Sequence, residues 1–352
     1  MIGLTDWAKD KKIAFLSPYN TPRGRLNKEI VNGITGVPLA FKEEGADFYW
    51  YHDIKNLSHD ELIEIFNKYD IWIYPVYPEY FDMIINIREE YKGKIIGVTD
   101  IQTHQLSYWP LPELSKFISA LNCYDAIMAT NQDEVETFRG CLFDKKKIEF
   151  TGWSMYPNEI HTKYYKQKEQ RDKNLISVGI SNPGDFNRDL ITNLTVYNEL
   201  KQRKPEIKGF MYYVTPNKIS GLKEIVTKMG CKDFALVTEL PYDVALDFLS
   251  KAYISIHLYT FKVVGRLAQD CAALGIPTVG TIANLPNRLC FPDTSVMDYD
   301  IKAAVKLSYD LLKDEGFYDH VSEKARQTAY SFYGLEATRD RIYKLLQQNN
   351  IV

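Results

Sequence analysis

The chain has 352 residues, of which 45% are hydrophobic and 25% charged, and its formal net charge is −3. This length allows two domains of common size, the composition is that of a globular protein, and the charge gives no reason to expect a nucleic-acid partner. No apolar run approaches the about 20 residues that a transmembrane segment needs. The N-terminus, MIGLTDWAKDKK, lacks the apolar core of a signal peptide, and five scattered cysteines show no metal-site spacing. These features predict a cytoplasmic protein with reduced thiols.

Short apolar runs alternate with helical stretches through the first half of the chain. Strands are predicted at 12–17, 47–52, 71–77, 94–99, 126–130 and 147–151. Helices are predicted at 27–45, 58–68, 80–91, 114–122 and 133–138, and Ser58 with Glu61 forms a capping box for the second of them. The alternation predicts a doubly wound α/β domain, in which ligands bind beyond the carboxyl ends of the strands.

The same alternation resumes after a polar stretch at 162–173, which is predicted to be a linker. Further strands are predicted at 174–179, 208–215 and 234–237, and helices at 190–202, 219–229 and 242–251. Near the C-terminus, helices are predicted at 301–312 and from Leu335 onward. Two successive α/β runs separated by a polar stretch predict two domains.

The stretch from 252 to 281 carries the clearest local pattern, a strand, a loop, a helix and a second strand. Alternating apolar residues predict a half-buried strand, and a helical face follows Gly265, where a missing side chain permits a backbone turn. The strand residues are Ile254, Ile256 and Leu258, and the helix residues are Leu267, Ala268, Cys271, Ala272 and Leu274. Gly275 and Pro277 end the helix. Free backbone N–H groups at the start of such a helix suit an anion.

This stretch resembles the nucleotide-binding element of GT-B glycosyltransferases, particularly the retaining, family-four-like enzymes. Their pattern is a Glu, seven residues, a second Glu, and then Ala-x-Ala-x-Gly-x-Pro and a strand. Asp270 stands in the place of the second Glu, Gly265 matches the loop glycine, and Lys262 reverses the charge of the first Glu. The resemblance implies two Rossmann-like domains facing across a cleft. It also implies sugar transfer from a nucleotide-diphosphate donor, with retention and without a metal or other cofactor.

Pro157-Asn158 is similar to the Pro-Asn that ends the first domain in this family. The resemblance therefore implies an acceptor-side domain at 1–157, a nucleotide-sugar-binding domain at 158–330, and a C-terminal helix at 331–352 that crosses back to the first domain. In the first domain, the resemblance implies that the loop of Arg23, Gly24 and Arg25 contacts a phosphate or the acceptor. Two solvated arginines are the other interpretation of that loop.

The resemblance implies roles for further residues. Asp100, His104 and Lys262 become candidate catalytic residues, although an exposed or structurally bonded histidine is the commoner case. On the donor side it implies that Asp270 takes the ribose hydroxyls, that backbone groups hold the base, and that backbone N–H groups and cations hold the diphosphate. The base-binding candidates are Thr238, Glu239 and Leu240, and the phosphate-binding candidates are Arg188, Val263, Val264, Gly265 and Arg266. A surface position for Arg188, and a helical pair of Arg266 with Asp270, are the structural alternatives.

Other functional classes lack their motifs. The chain has no dinucleotide-binding Gly-x-Gly-x-x-Gly, no P-loop and no Gly-x-Ser-x-Gly elbow. Asp298 and Asp300 have the spacing of a metal motif, but Asp300 directly precedes a predicted helix and is interpreted as its cap. The partners implied by the resemblance are a nucleotide sugar and an acceptor that is a glycan, lipid, protein or small molecule. A sugar-nucleotide-binding protein without activity, an epimerase and a phosphorylase remain alternatives.

Overall fold

A computed structural model describes residues 10–17, 46–99, 101, 103–152, 158–181, 189–213, 219–237, 240–259 and 265–352 of the chain. The chain divides into two compact units, Met1–Tyr156 with Gly334–Val352, and Pro157–Tyr333. Each unit contains one six-stranded sheet with helices around it. The predicted fold class, α/β with two Rossmann-like domains, is confirmed.

The first unit contains a wholly parallel sheet. Its strands are β1 (Ile13–Ser17), β2 (Asp47–Trp50), β3 (Ile71–Val76), β4 (Lys94–Thr99), β5 (Ala126–Ala129) and β6 (Ile148–Phe150), in the order β2-β1-β3-β4-β5-β6. The described helices that follow them are α1 (Tyr51–Ile54), α2 (His59–Phe66), α3 (Phe81–Glu90), α4 (Leu111–Cys123) and α5 (Gln132–Arg139). The capping box of Ser58 and Glu61 is confirmed at the start of α2. The predicted strand at 47–52 was too long, because Tyr51 begins α1. The predicted helix at 27–45 lies outside the described residues.

The second unit repeats this architecture. Its strands are β7 (Asp172–Ser181), β8 (Lys208–Tyr213), β9 (Phe234–Val237), β10 (Ala252–His257), β11 (Thr278–Thr281) and β12 (Ser295–Val296), all parallel, in the order β12-β11-β10-β7-β8-β9. Its described helices are α6 (Asn158–Tyr164), α7 (Leu190–Arg203), α8 (Ile219–Lys228), α9 (Tyr242–Leu249), α10 (Arg266–Leu274), α11 (Leu285–Cys290), α12 (Ile301–Lys313) and α13 (Glu315–Thr328). The sequence analysis missed α13. Asp300 caps α12 as predicted, since its Oδ1 accepts from the backbone N–H of Ala303 at 3.0 Å.

The last helix, α14 (Leu335–Gln348), belongs to the first unit. Its apolar side chains share one core cluster with β1, β3, β4 and β5. The members from α14 are Leu335, Ile342, Leu345 and Leu346. Arg341 also donates from Nε to the backbone oxygen of Thr151 at 2.8 Å, directly after β6. The C-terminal helix therefore packs on the first sheet. No described helix has the length and apolar character needed to cross a membrane.

Strand β10 and helix α10 are buried far more completely than predicted. All six residues of β10 are buried, because it lies between β7 and β11 and both faces of the sheet are covered. In α10, every residue from Leu267 to Leu274 is buried, including Gln269 and Asp270. The predictions of a half-buried strand and of a helix with one buried face were therefore wrong. Helices α6, α11 and α13 contact α10 in addition to the sheet.

The polar stretch at 162–173 is not a linker. It contains the end of α6, a short 3-10 helix at Lys168–Gln170, and the first residues of β7. Its Arg171 is only 7% exposed, and its guanidinium donates to four oxygens. They are the backbone oxygens of Lys166 at 2.7 Å, Leu274 at 2.5 Å and Gly275 at 2.5 Å, and the Tyr318 hydroxyl at 2.8 Å. Two of these oxygens end α10, where carbonyls lack helical partners and a cation is favourable.

We expect Arg171→Lys to destabilise the protein strongly. A lysine cannot reach four acceptors in this planar arrangement, so buried carbonyl oxygens lose their donors, at about 1–3 kcal/mol each. The midpoint of thermal unfolding should fall by about 4–8 °C for a loss of about 2 kcal/mol. Differential scanning calorimetry measures this change. Arg203→Lys, on the exposed part of α7, is the matched control and should change the midpoint by less than about 2 °C. Equal midpoints for the two variants would contradict this account of Arg171.

Candidate functional site

Side chains fix the backbone where β10 ends. The amide of Asn193 forms two bonds with Leu258, accepting from its backbone N–H at 2.9 Å and donating to its backbone oxygen at 2.9 Å. Thr281 likewise forms two bonds with the next residue, Tyr259. The Thr281 hydroxyl accepts from the backbone N–H of Tyr259 at 3.1 Å and donates to the backbone oxygen of Tyr259 at 2.5 Å. The chain therefore leaves the sheet at a defined position.

Gly265 directly precedes α10 as its N-cap residue, and the reason for a glycine differs from the one predicted. Its φ of −89° and ψ of 109° are extended values that any residue adopts, so no special turn is needed. A Cβ atom at this position would lie 2.1 Å from Nδ2 of Asn284 and 3.1 Å from Cε1 of His257. The absent side chain thus makes room for a buried asparagine against the start of α10. No side chain of a described residue caps this helix.

Asp270 lies in a buried cluster with His161 and Tyr242. Its Oδ1 accepts from the Tyr242 hydroxyl at 2.6 Å, and Nε2 of His161 lies 2.9 Å from the same oxygen. Asp270 is 7% exposed and His161 is fully buried. The three residues belong to α6, α9 and α10, so the carboxylate joins three helices. The sequence analysis gave Asp270 only a weak pair with Arg266 as a structural role, and that interpretation was wrong.

The cluster has two consequences for the Asp270 carboxylate. Polar partners offset the cost of removing a carboxyl group from water, and the Tyr242 hydroxyl donates to this one. They also hold the carboxylate in one orientation through Oδ1. Among the described residues, none donates to Oδ2. Within the described ranges, one oxygen of the carboxylate is therefore used by the fold and the other is not.

Two other residues on the second unit lie next to this cluster. The Arg266 guanidinium lies 5.9 Å from the centroid of the Tyr242 ring, within the range of a cation–π interaction. Leu240 is half-buried and precedes Pro241, the residue before α9.

Burial raises the pKa of the Cys271 thiol to about 12, so this cysteine is a packing residue rather than a nucleophile.

Arg266 and Asp270 thus lie on one helix, which Gly265 directly precedes. Leu240 lies on the segment that leads to Tyr242. The sequence analysis missed His161, Tyr242 and Asn284. Tyr242 begins a predicted helix, but nothing in the local sequence indicates a partner 28 residues away. Several predicted site residues lie outside the described residues. They are Arg23, Gly24, Arg25, Asp100, Arg188, Thr238, Glu239, Lys262, Val263 and Val264.

The first unit carries His104 in a short 3-10 helix, Thr103–Tyr108, after β4. His104 is partly buried, and its backbone oxygen accepts from the Ser107 hydroxyl at 2.6 Å. Strand β5 is the neighbour of β4 in the sheet, and the helix after it carries Glu134. The buried carboxylate of Glu134 accepts from the hydroxyl of Thr99. It also accepts from the backbone N–H groups of Thr130 at 3.0 Å and Asn131 at 3.2 Å. Glu134 therefore ties the carboxyl ends of β4 and β5 together. The Asn131-x-x-Glu134 spacing of a capping box was the available signal for it.

We expect Tyr242 and Asp270 to be energetically coupled. Tyr242→Phe removes a donor to a charged acceptor and should lower the free energy of unfolding by about 1.5–3 kcal/mol. The loss should be smaller in an Asp270→Asn background, because the acceptor is then neutral, and the coupling should be about 1 kcal/mol. Urea denaturation of the four proteins of the cycle measures it. Tyr197→Phe, which removes a hydroxyl bonded at 2.6 Å to the backbone oxygen of Lys232, should be additive with Asp270→Asn. Additivity in both cycles would exclude the cluster as a stabilising unit.

No family model and no curated protein matches the sequence. Solved structures do match, over nearly the whole chain. HepE of Anabaena in complex with UDP and glucose has a TM-score of 0.72 at 11% identity, covering 96% of this chain and 99% of that one. Sucrose-phosphate synthase from Thermosynechococcus elongatus has a TM-score of 0.72 at 13% identity, covering 96% of this chain and 98% of that one.

A UDP-forming α,α-trehalose-phosphate synthase from Burkholderia xenovorans is also similar, with a TM-score of 0.67 at 12% identity, covering 84% of this chain and 77% of that one. At such identities the likeness establishes the fold, since unrelated activities can share one architecture. The two parallel six-stranded sheets agree with it. The chain therefore has the GT-B fold, the fold of these glycosyltransferases.

Proposed function

We propose that this protein is a glycosyltransferase that moves a sugar from a nucleotide-diphosphate donor to an acceptor, with retention at the anomeric carbon and without a metal ion. The observation that carries the proposal is the likeness, over nearly all of both chains, to a structure in complex with UDP and glucose. The buried acid on α10 supports it, because a carboxylate held by two donors is well suited to bind sugar hydroxyls.

The nucleotide would lie along the first turns of α10. Asp270 comes five residues after Gly265, about 7.5 Å along a helix that rises 1.5 Å per residue. Its Oδ2 would accept from the ribose hydroxyls, while the diphosphate would accept from N–H groups at the helix start. Arg266 would add positive charge there, and we assign the same role to Lys262 and Arg188. Charge on the leaving diphosphate grows in the transition state, so cations near it lower the barrier.

The base would lie against the segment Thr238, Glu239 and Leu240, held by backbone groups. We assign the reacting sugar to Asp100 and His104, which follow β4 of the first unit. We assign the acceptor or phosphate contact to the loop of Arg23, Gly24 and Arg25. Leu240 supports the base assignment because it leads directly into α9, whose first residue, Tyr242, bonds with Asp270.

A binding protein without turnover is the second candidate function. Lys262 favours it, because this residue reverses the charge of the first acid in the pattern that the chain otherwise matches. Both functions require nucleotide binding, but only the enzyme transfers or hydrolyses the donor. Loss of turnover in His104→Ala, with unchanged nucleotide affinity, would exclude the second candidate.

We expect at least one nucleoside diphosphate to raise the thermal stability of the protein in the presence of EDTA. A ligand that binds only the folded state at 100 times its Kd stabilises by about 2.7 kcal/mol. A thermal-shift screen with UDP, GDP, ADP and TDP measures this, and release of the diphosphate from the matching sugar nucleotides measures turnover. If none of the four nucleotides shifts the midpoint and none of their sugar derivatives is consumed, the proposed function is wrong.

We expect Asp270→Asn to weaken nucleotide binding by about ten- to a hundredfold. This range corresponds to the loss of a hydrogen bond to a charged group, about 1.5–3 kcal/mol. Calorimetric titration well below the unfolding midpoint separates this effect from the loss of stability expected for the His161 cluster. Asp300→Asn is the matched control, because asparagine also caps a helix and the residue begins α12. Unchanged affinity in Asp270→Asn would remove Asp270 from the binding site.

A further inference from the structure

Asn284 is a fully buried polar residue with one half of its amide unused. Its Oδ1 accepts from the backbone N–H of Asn287 at 3.2 Å, which caps α11. Among the described residues, no oxygen accepts from its Nδ2. A buried donor without an acceptor costs about 1–3 kcal/mol. Such a cost at a 0% exposed side chain points to an acceptor that the described part of the chain does not supply.

The orientation of this amide is determined by the surrounding bonds. The backbone N–H of Asn284 donates to the oxygen of Thr281 at 3.2 Å, and its own oxygen accepts from the N–H of Arg288 at 3.0 Å. Since Oδ1 must face Asn287 to cap α11, Nδ2 must face the other way. A 180° rotation of the amide would break the cap bond, so the direction of the free donor is not arbitrary.

Nδ2 faces Gly265, the residue directly before α10. It lies 2.1 Å from the place where a Cβ of Gly265 would be, so the missing side chain at that position leaves the donor beside the helix start. The N–H groups of the first turn also lack helical acceptors, and the helix dipole favours negative charge there. A side-chain donor and a helix N-terminus therefore converge on one small region, and both prefer an anionic oxygen.

We propose that Asn284 is a further binding residue of the donor site, and that its Nδ2 donates to a phosphate oxygen of a nucleoside diphosphate held at the start of α10. The inference rests on the proposed function for the identity of the ligand. It adds a residue 14 positions beyond Asp270, outside the segment matched by the acid and glycine pattern. Asn284 thus distinguishes the diphosphate from the nucleoside, whereas Asp270 contacts the ribose present in both.

Two variants of Asn284 separate this role from a purely structural one. Asp caps a helix as well as Asn does, whereas Ala removes the cap. An aspartate at this 0% exposed position also buries a charge, so both variants should lower the unfolding midpoint. If Asn284 only caps α11, each variant should change the affinities for nucleoside and diphosphate alike. If Nδ2 holds a phosphate, Asn284→Asp places a negative charge against an anion, and it should cause the larger loss of diphosphate affinity while nucleoside affinity is kept.

The experiment titrates the wild-type protein and both variants with UDP, ADP and GDP by calorimetry, and with uridine, adenosine and guanosine by ligand-observed NMR. For the diphosphate that binds the wild type, we expect Asn284→Asp to lower affinity by about ten- to a hundredfold and Asn284→Ala by less. This range follows from a hydrogen bond to a charged group. Affinity for the matching nucleoside should change by less than about twofold. Unfolding midpoints of all proteins confirm that they are folded at the temperature of titration.

Asn198→Asp is the matched control. It also exchanges an amide for an acid in the second unit, but its Nδ2 already donates to the backbone oxygen of Met229 at 2.8 Å. Diphosphate affinity should be unchanged in this control. Equal losses for nucleoside and diphosphate in Asn284→Asp, or no loss at all, would overturn the role of Asn284 and leave the proposed function intact. Failure of all three diphosphates to bind the wild type would overturn both.

Discussion

The stability of the second unit depends on the hydrogen bonds of α10, because this helix is buried along nearly its whole length. Each buried polar group of the helix costs free energy unless it has a hydrogen-bond partner. Arg171 meets the carbonyl oxygens at its end, and His161 with Tyr242 meets the Asp270 carboxylate in its middle. These partners come from the residue before β7, from α6 and from α9, so the contacts also connect the helix to much of the unit. The start of the helix is the part that a ligand is proposed to complete.

This arrangement explains how one residue can serve both the fold and a ligand. Asp270 uses Oδ1 for two protein donors, and these contacts remove the rotational freedom that a free carboxylate would lose on binding. The cost of ordering the side chain is therefore met when the protein folds. In the proposed function, Asp270 would therefore bind the ribose hydroxyls with less loss of entropy. Asn284 follows the same logic, since the cap of α11 orients its amide before any ligand arrives.

The exit of β10 shows a related use of buried polar side chains. Asn193 and Thr281 each bond both the N–H and the oxygen of one backbone residue, replacing the ladder bonds that end with the strand. The chain is thereby fixed at the carboxyl edge of the sheet, where open α/β folds bind ligands. Glu134 performs an equivalent task between β4 and β5 in the first unit. In both sheets, polar residues at this edge stabilise the positions from which loops depart.

The sequence by itself determined the fold class, most strand positions, the caps at Ser58 and Asp300, and the position of α10, because these features depend on local periodicity and local hydrogen bonds. The segment 162–173 was wrongly predicted to be a linker, since buried Arg171 is polar and two of its four acceptors lie 103 and 104 residues away at the end of α10. The partners of Asp270, 28 and 109 residues distant, and the direction of the Asn284 amide were decided only by tertiary packing. Sequence patterns show the periodicity of apolar and polar residues along the chain. A buried polar contact depends instead on which helices and strands pack against one another in the folded protein.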